Sequence, residues 1–232
     1  MTIIQNYSDY SAGWFPNWER GSAEFFNSII QTLQMTFGSF AISFVLGIFF
    51  GVALVVTRKG GIMQNLVLYN ILDKAVNTVR SVPFLILMVV LFPLSRLIVG
   101  TALGVPGAII PLVFGTVPFF SRQVEVAISE VDRGLIEAST AMGLSAAQII
   151  FRVYLRESIP SIARVTQVTI INLIGLTVIA GAVGAGGLGD FAIRFGVQRA
   201  MTDLMWISIL AILIIVNLIQ GIGNVIIKKT SH

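Results

Sequence analysis

Along most of this chain, long apolar runs are separated by short charged joints. Four stretches carry no Asp, Glu, Lys or Arg: Phe25 to Thr57, Leu97 to Ser121, Val165 to Gly189 and Leu204 to Ile227. Each exceeds the roughly 20 residues a helix needs to cross the hydrocarbon of a bilayer. A fifth stretch, Ser81 to Ser95 ("SVPFLILMVVLFPLS"), is too short alone. It becomes long enough if its helix starts near Leu72, with Lys74 and Arg80 snorkelling to the headgroups and a kink at Pro83. The pattern predicts an all-α integral membrane protein with about five transmembrane helices. Residues 1–30 read as an extracytoplasmic segment, in which Trp14, Phe15 and Trp18 suit the headgroup layer. Residues 31–232 then form one transmembrane domain.

Composition agrees. Of the 232 residues 56% are hydrophobic and 11% charged, against about 25% charged in soluble domains. The chain has no cysteine, and its single histidine is His232. Thiolate metal sites, disulfides and cysteine or histidine catalysis are therefore excluded, and neither a metal, a catalytic residue nor a cofactor is expected in this chain. The first nineteen residues contain Asp9 and Glu19 but no Lys or Arg, so they lack the basic start of a cleavable signal peptide and are expected to remain.

The net charge of +4 comes from basic residues scattered between apolar runs with no basic stripe, which argues against a nucleic-acid partner. The distribution reads instead as topology. With the N-terminus outside, Arg58, Lys59, Lys74, Arg80, Arg122, Arg133, Arg152, Arg156, Arg164, Lys228 and Lys229 fall on the inner side, and only Arg20, Arg96, Arg194 and Arg199 on the outer. By the positive-inside rule the C-terminus is cytoplasmic.

"GAGGLG" (Gly184 to Gly189) matches the spacing of a dinucleotide-binding turn, with Asp203 near the distance of a ribose-binding acid. That turn needs a strand before it and a βαβ unit around it. Here an apolar helix precedes it on the outer side, so the glycines are expected to end that helix and let backbones approach closely. No G-x-x-x-x-G-K-[ST] phosphate loop occurs, so this polypeptide is not expected to hydrolyse ATP.

One soluble element remains: Arg122 to Arg164, which concentrates Arg122, Glu125, Glu130, Asp132, Arg133, Glu137, Arg152, Arg156, Glu157 and Arg164. Gly143 interrupts a helical stretch, and Ser145 with Gln148 spells a capping box that starts another. Two short helices should meet at a bend, with the small residues Ala138, Ser139, Ala141 and Gly143 before it. Such a knob can enter another protein's groove.

In this loop the chain resembles the permease subunits of ABC importers. Their signature is E-A-A, a Gly six residues after the Glu, then an apolar residue and a proline. Glu137, Ala138, Ser139 and Gly143 match in spacing, and Val153 takes the later apolar position. Where the family has Leu-Pro this chain has Leu155-Arg156, with a proline only at Pro160. "RSVPFLIL", "GLIEASTAMG" and "AGAVGAGGLGDFAIRFGVQR" are similar to the methionine-import members of that family, from about Gln31 onward. The resemblance implies an ABC type I importer permease fold in the cell (inner) membrane and transport of D- and L-methionine or a related amino acid. It also implies a homodimer, a separate cytoplasmic ABC ATPase dimer and an extracytoplasmic substrate-binding protein. Glu137, Ala138, Ser139, Ala141, Met142, Gly143 and Leu144 would form the ATPase-coupling loop.

Polar positions inside the spans have two readings each. Ser39, Ser43, Gly47 and Gly51 recur every four residues, for packing within the subunit or, less favoured, between subunits. Asn70, Asp73, Lys74, Asn77, Arg80 and Ser81 form one helical stripe. Asp73 and Lys74 are read as interfacial, and Asn77, Arg80 and Ser81 as candidates for lining a transport pathway. Asn172 and Thr177 are further pathway candidates. Thr166, Gln167, Thr169, Asn217, Gln220, Gly221 and Asn224 are read as helix packing, and Met142 as a packing methionine. Two alternatives remain: a secondary amino-acid transporter working without an ATPase, although no inverted repeat or mid-span acid supports it, and a structural membrane scaffold.

Overall fold

A computed structural model describes residues 15–230; Trp14 and His232 lie outside the described residues. All the regular structure is helical. The first helix, α1, is Trp18–Thr57, 40 residues and hence about 60 Å long, twice the hydrocarbon thickness. It runs without interruption through the boundary expected at residue 30, so no structural division separates the N-terminal segment from the membrane domain at that point. Trp18 packs edge-on against Phe25 and Phe26 of the same helix and against the cluster that includes Leu188, Phe191 and Leu204, which ties the start of α1 into the bundle.

The stretch 66–99 is where the expectation of a single kinked helix fails. It forms three helices: α2 (Leu66–Ser81), α3 (Phe84–Val90) and α4 (Phe92–Val99). Val82 has extended backbone (ψ 124) ahead of Pro83. A residue before proline is pushed out of the helical region, and Pro83 has no N–H to continue the ladder, so the helix stops rather than kinks.

The helix α5 (Gly104–Ser129) contains Pro111 and Pro118. Beyond it, α6 (Arg133–Ala141) and α7 (Ala146–Ile149) lead into a wide π-type turn at Ile150–Tyr154 and a last short turn, α8 (Leu155–Glu157). The break before the next span falls at Ser158, and Pro160 takes the second position of α9 (Ile159–Ala180). The helix boundary thus falls beside this chain's own proline rather than at Arg156, which lies within α8. A second π-type turn (Gly181–Ala185) precedes α10 (Gly187–Phe191), a third (Ala192–Gln198) follows it, and α11 (Thr202–Thr230) closes the described chain.

Four helices are long and apolar enough to cross a membrane alone: Trp18–Thr57, Gly104–Ser129, Ile159–Ala185 and Thr202–Thr230. The fifth crossing follows from geometry. Gly38 lies beside Ile109, Gly47 beside Phe120 and Gly51 beside Val124, so α1 and α5 run parallel. The chain between them must therefore return across the bundle, and α2 to α4 make that return.

Ser39, Ser43, Gly47 and Gly51 are all buried in α1. They form the seam against α5, the most extensive helix pair in the fold, so the ridge packs within the subunit. A Cβ at Gly51 would stand 2.6 Å from Val124 Cβ and 2.9 Å from the Ser121 carbonyl. Met35, Met88, Ala108, Leu112, Leu173 and Ala180 fill the middle of the bundle. At one end Val55, Val56, Phe120, Val124, Ile128, Ile149 and Tyr154 seat the 130–158 loop. At the other, Phe25, Leu188, Phe191, Phe195 and Leu204 join α1, α10 and α11.

Gly51→Leu should lower thermal stability in detergent, because overpacking a tight seam costs about 1–3 kcal/mol. Gly221, with open space around its Cα, should accept alanine without loss. Melting both variants by size-exclusion chromatography tests the seam; equal melting temperatures would disprove it.

Candidate coupling surface and polar sites

The soluble element expected over Arg122 to Arg164 is shorter, 130–158, because α5 runs on to Ser129 and α9 begins at Ile159; within it the stop and the cap form from the residues that spell them. Asp132 Oδ1 accepts from the Gly134 N–H at 2.6 Å and caps α6. At the far end the Gly143 N–H bonds the Thr140 carbonyl at 3.0 Å and the Leu144 N–H bonds the Ser139 carbonyl at 3.1 Å. This is a complete Schellman stop. Gly143 has φ +78 with nothing within 4 Å of a Cβ position, so the family's glycine is needed here for backbone conformation rather than for space. Ser145 and Gln148 close the capping box that opens α7: the Ser145 N–H donates to Gln148 Oε1 at 2.8 Å and the Gln148 N–H to Ser145 Oγ at 3.4 Å.

The loop residues divide between two faces. Glu137, Ala138, Ala141, Met142 and Gly143 are exposed. Ser139 is buried and bonds back to the Leu135 carbonyl, and Leu144 packs partly into the cluster with Ile149 and Tyr154. Met142 is 72% exposed; it stands at the tip of the knob and packs against nothing substantial in this chain, contrary to its reading as a packing residue. Beside α6 lies a shallow hollow lined by Gly60, Gly61, Ile62, Glu137, Thr140 and Ala141. The contribution of Gly60 and Gly61 was not legible in the sequence, because it depends on where the 58–65 turn folds. Burial pushes the Tyr154 phenol up, against the opposing pull of Arg58 and Arg133, so it anchors the loop in its neutral form.

The polar stripe of α2 is not uniform. Asp73 and Asn77 engage Arg122 of α5, whose guanidinium donates to Asp73 Oδ1 at 2.5 Å, to Asn77 Oδ1 at 3.1 Å and to Glu125 Oε2 at 2.5 Å. Asp73 therefore has a specific partner rather than only a headgroup layer. Ser81 bonds the Asn77 carbonyl, and Asn77, Arg80 and Ser81 are exposed on the subunit surface. So is Asn172 on α9. Thr177 is buried and donates to the Ile174 carbonyl at 2.7 Å, so it forms no part of an exposed wall. Gln167 reaches the Gln220 carbonyl and Asn224 Oδ1 across α9 and α11, in keeping with packing.

The "GAGGLG" segment lies at the opposite end of the bundle from the 130–158 loop. Gly186 and Gly187 have φ +81 and +80. The Gly187 N–H donates to Gln31 Oε1 at 2.8 Å and the Leu188 N–H to Thr32 Oγ1 at 2.9 Å. The positive end of α10 is therefore occupied by side chains of α1, which leaves no phosphate cradle. Arg194 bridges Glu24 and Asp190 at the edge of a hollow of about 430 Å³. Among the described residues no group of acids or histidines could hold a metal.

A membrane-spanning helical subunit with an exposed, capped knob at one end is what this fold and surface define. Residues 43–230 match the family described as binding-protein-dependent transport system inner membrane component, and the chain belongs to that family. It is 43% identical over 202 residues to the probable D-methionine transport system permease protein MetI of Vibrio cholerae, covering 87% of this chain and 90% of that one. Against the D-methionine transport system permease protein MetI of Salmonella typhimurium it is 48% identical over 132 residues, 57% of this chain and 61% of the relative. A solved structure of inward-facing conformations of the MetNI methionine ABC transporter superposes with a TM-score of 0.90 at 40% identity, over 92% of this chain and 99% of its counterpart. An amino acid ABC transporter shares the fold alone, with a TM-score of 0.76 at 16% identity.

The Schellman stop and capping box carry a local test. Gly143→Ala forces an L side chain into left-handed backbone, at roughly 1–2 kcal/mol. Ser145→Ala removes the cap at about 1 kcal/mol. Both should speed hydrogen exchange of amides 142–149 and leave α5 and α9 unchanged; unaltered exchange in the bend would overturn the assignment.

Proposed function

We propose that two copies of this chain form the membrane pore of an ATP-driven importer, moving methionine in both D and L forms, or a close relative, into the cytoplasm. Hydrolysis belongs to a separate ATPase dimer, and the cargo is delivered by an extracytoplasmic binding protein. The observation that carries this reading is the exposed Glu137–Gly143 knob, held rigid by its own stop and cap and without a partner in this chain, on a fold that superposes on the methionine transporter. Membership of a family whose transport is binding-protein-dependent speaks against a carrier acting alone.

The knob, the 58–65 turn and the end of α11 share one end of the bundle, and the concentration of Lys and Arg there supports reading it as the cytoplasmic end. Asn77, Arg80, Ser81 and Asn172 are polar and exposed on the subunit within or beside spans. Such groups are costly against lipid, so in the assembly they face the second copy and the water-filled path between the two. Recognition there uses dispersed hydrogen bonds, doubled by two-fold symmetry. No cofactor takes part in this chain's role.

Gly143→Trp and Glu137→Lys should each insert normally, bind the ATPase weakly and lose more than nine-tenths of methionine uptake in cells or proteoliposomes. Wild-type uptake with full ATPase association would refute the coupling role. For orientation, Val197→Cys (66% exposed in the parent residue) should react with an impermeant thiol reagent from outside, and Ser145→Cys only from the cytoplasm. The natural absence of cysteine makes this readable, and the reverse labelling would invert the topology.

A further inference from the structure

We infer that Arg122 is the positioning residue that ties α2 to the coupling end of the molecule, so that movement of the knob is carried into the wall of the pathway. This rests on the transport function proposed above. Within one subunit, α2 is lightly held by apolar packing. Of its 16 residues only Val76 is buried, whereas α1 and α5 bury residues along their whole length. Its two ends differ: at the start the Met63 and Asn65 N–H groups bond the Val56 and Thr57 carbonyls and Asn65 caps the helix, while at the end extended Val82 before Pro83 severs it from α3.

Beyond Val76 and the tie of its leading turn to α1, the side-chain hydrogen bonds that join α2 to α5 are concentrated in one place. Asp73 and Asn77 stand one turn apart on α2. Arg122 donates to both, and the Asn77 amide donates to Asp73 Oδ2 at 3.1 Å, closing a ring. The other guanidinium arm is held by Glu125, so Arg122 is fixed to its own helix before it reaches α2. Planar, two-armed donation of this kind defines a direction as well as an attraction.

The same end of α5 leads to the knob. The Ser129 hydroxyl accepts from Arg58 at 2.6 Å and donates to the Glu125 carbonyl at 2.6 Å. Three residues on, Asp132 caps α6. At the other end of α2, Arg80 and Ser81 precede the Val82–Pro83 break. A push on α6 is thus delivered to α5 near Ser129 and to α2 through Arg122. With its start tied to the end of α1 and a break after Ser81, α2 can pivot as a unit carrying Asn77, Arg80 and Ser81. A hydrophobic contact of equal strength would slide, while a ring of directed bonds moves the two helices together.

The test uses the whole transporter, with its ATPase and methionine-loaded binding protein, in proteoliposomes. Arg122→Gln and Asp73→Asn should keep the assembly and most of the ATP hydrolysis, but lower methionine imported per ATP at least fivefold. The charge swap Arg122→Asp with Asp73→Arg, made together with Glu125→Gln to remove the acid that would face the new carboxylate, should regain at least half of the wild-type ratio. A second readout is independent of cargo. Spin labels at Ile71→Cys and Val126→Cys, both on exposed parent residues, should report a narrow α2–α5 distance with and without trapped ATP in the parent chain and a broad one with Arg122→Gln. An unchanged import ratio in the single variants, or loss of assembly together with failure of the swap, overturns the coupling role. If the parent complex imports no methionine, the proposed cargo fails, and the spin-label distances alone decide the clasp: a narrow distribution in Arg122→Gln overturns it.

Discussion

The close parallel packing of α1 against α5 is the contact on which the rest of the structure depends. Lipid tails are as apolar as leucine, so helices in a bilayer gain little from apolar burial and associate through shape and through polar contacts between them. The seam of Ser39, Ser43, Gly47 and Gly51 supplies that shape, letting Phe120 and Val124 of α5 settle against bare backbone. Because the two helices run the same way, the 58–103 segment has to recross the membrane. It does so in pieces, since Pro83 and Pro93 interrupt it. The return is a consequence of the seam and its breaks are a consequence of the prolines, and together they leave α2 only lightly packed within the subunit.

The two ends of the bundle are finished in different ways. At the coupling end a soluble loop is pinned by Ile149 and Tyr154 in the apolar cluster and shaped by caps, leaving its exposed face free for a partner. At the other end the glycine-rich turn folds α10 back against α1 and α9. Gly181, with a would-be Cβ 2.5 Å from the Asp190 N–H, tolerates no side chain there. Gln31 and Thr32 satisfy the first amides of α10, which answers in polar terms what a helix start exposed at membrane depth would otherwise lack. A hydrogen-bonded glycine turn at one end and a capped knob at the other, joined by spans with internal breaks, suit tilting of whole units.

Much of this was legible in the chain. Apolar run length gave the four uninterrupted spans, because the thickness of hydrocarbon imposes a length on any sequence that crosses it. The Gly143 stop and the Ser145–Gln148 box were legible because caps are local: they depend on residues three to six positions apart. The four-residue spacing of small side chains marked a packing face for the same reason.

Tertiary structure alone decided the rest. Nothing local says that Arg122 reaches Asp73 and Asn77, 49 and 45 positions away, or that Gly60 and Gly61 border the knob. Thr177 and Asn172 are alike in polarity and lie on one helix, yet one is buried and the other exposed, because the direction α9 turns toward α5 is set by its neighbours. Met142 was misread for the same reason, since a sequence does not state whether a methionine has anything within the chain to pack against. Periodicity fixes which residues share a face; only the packed bundle fixes what that face meets.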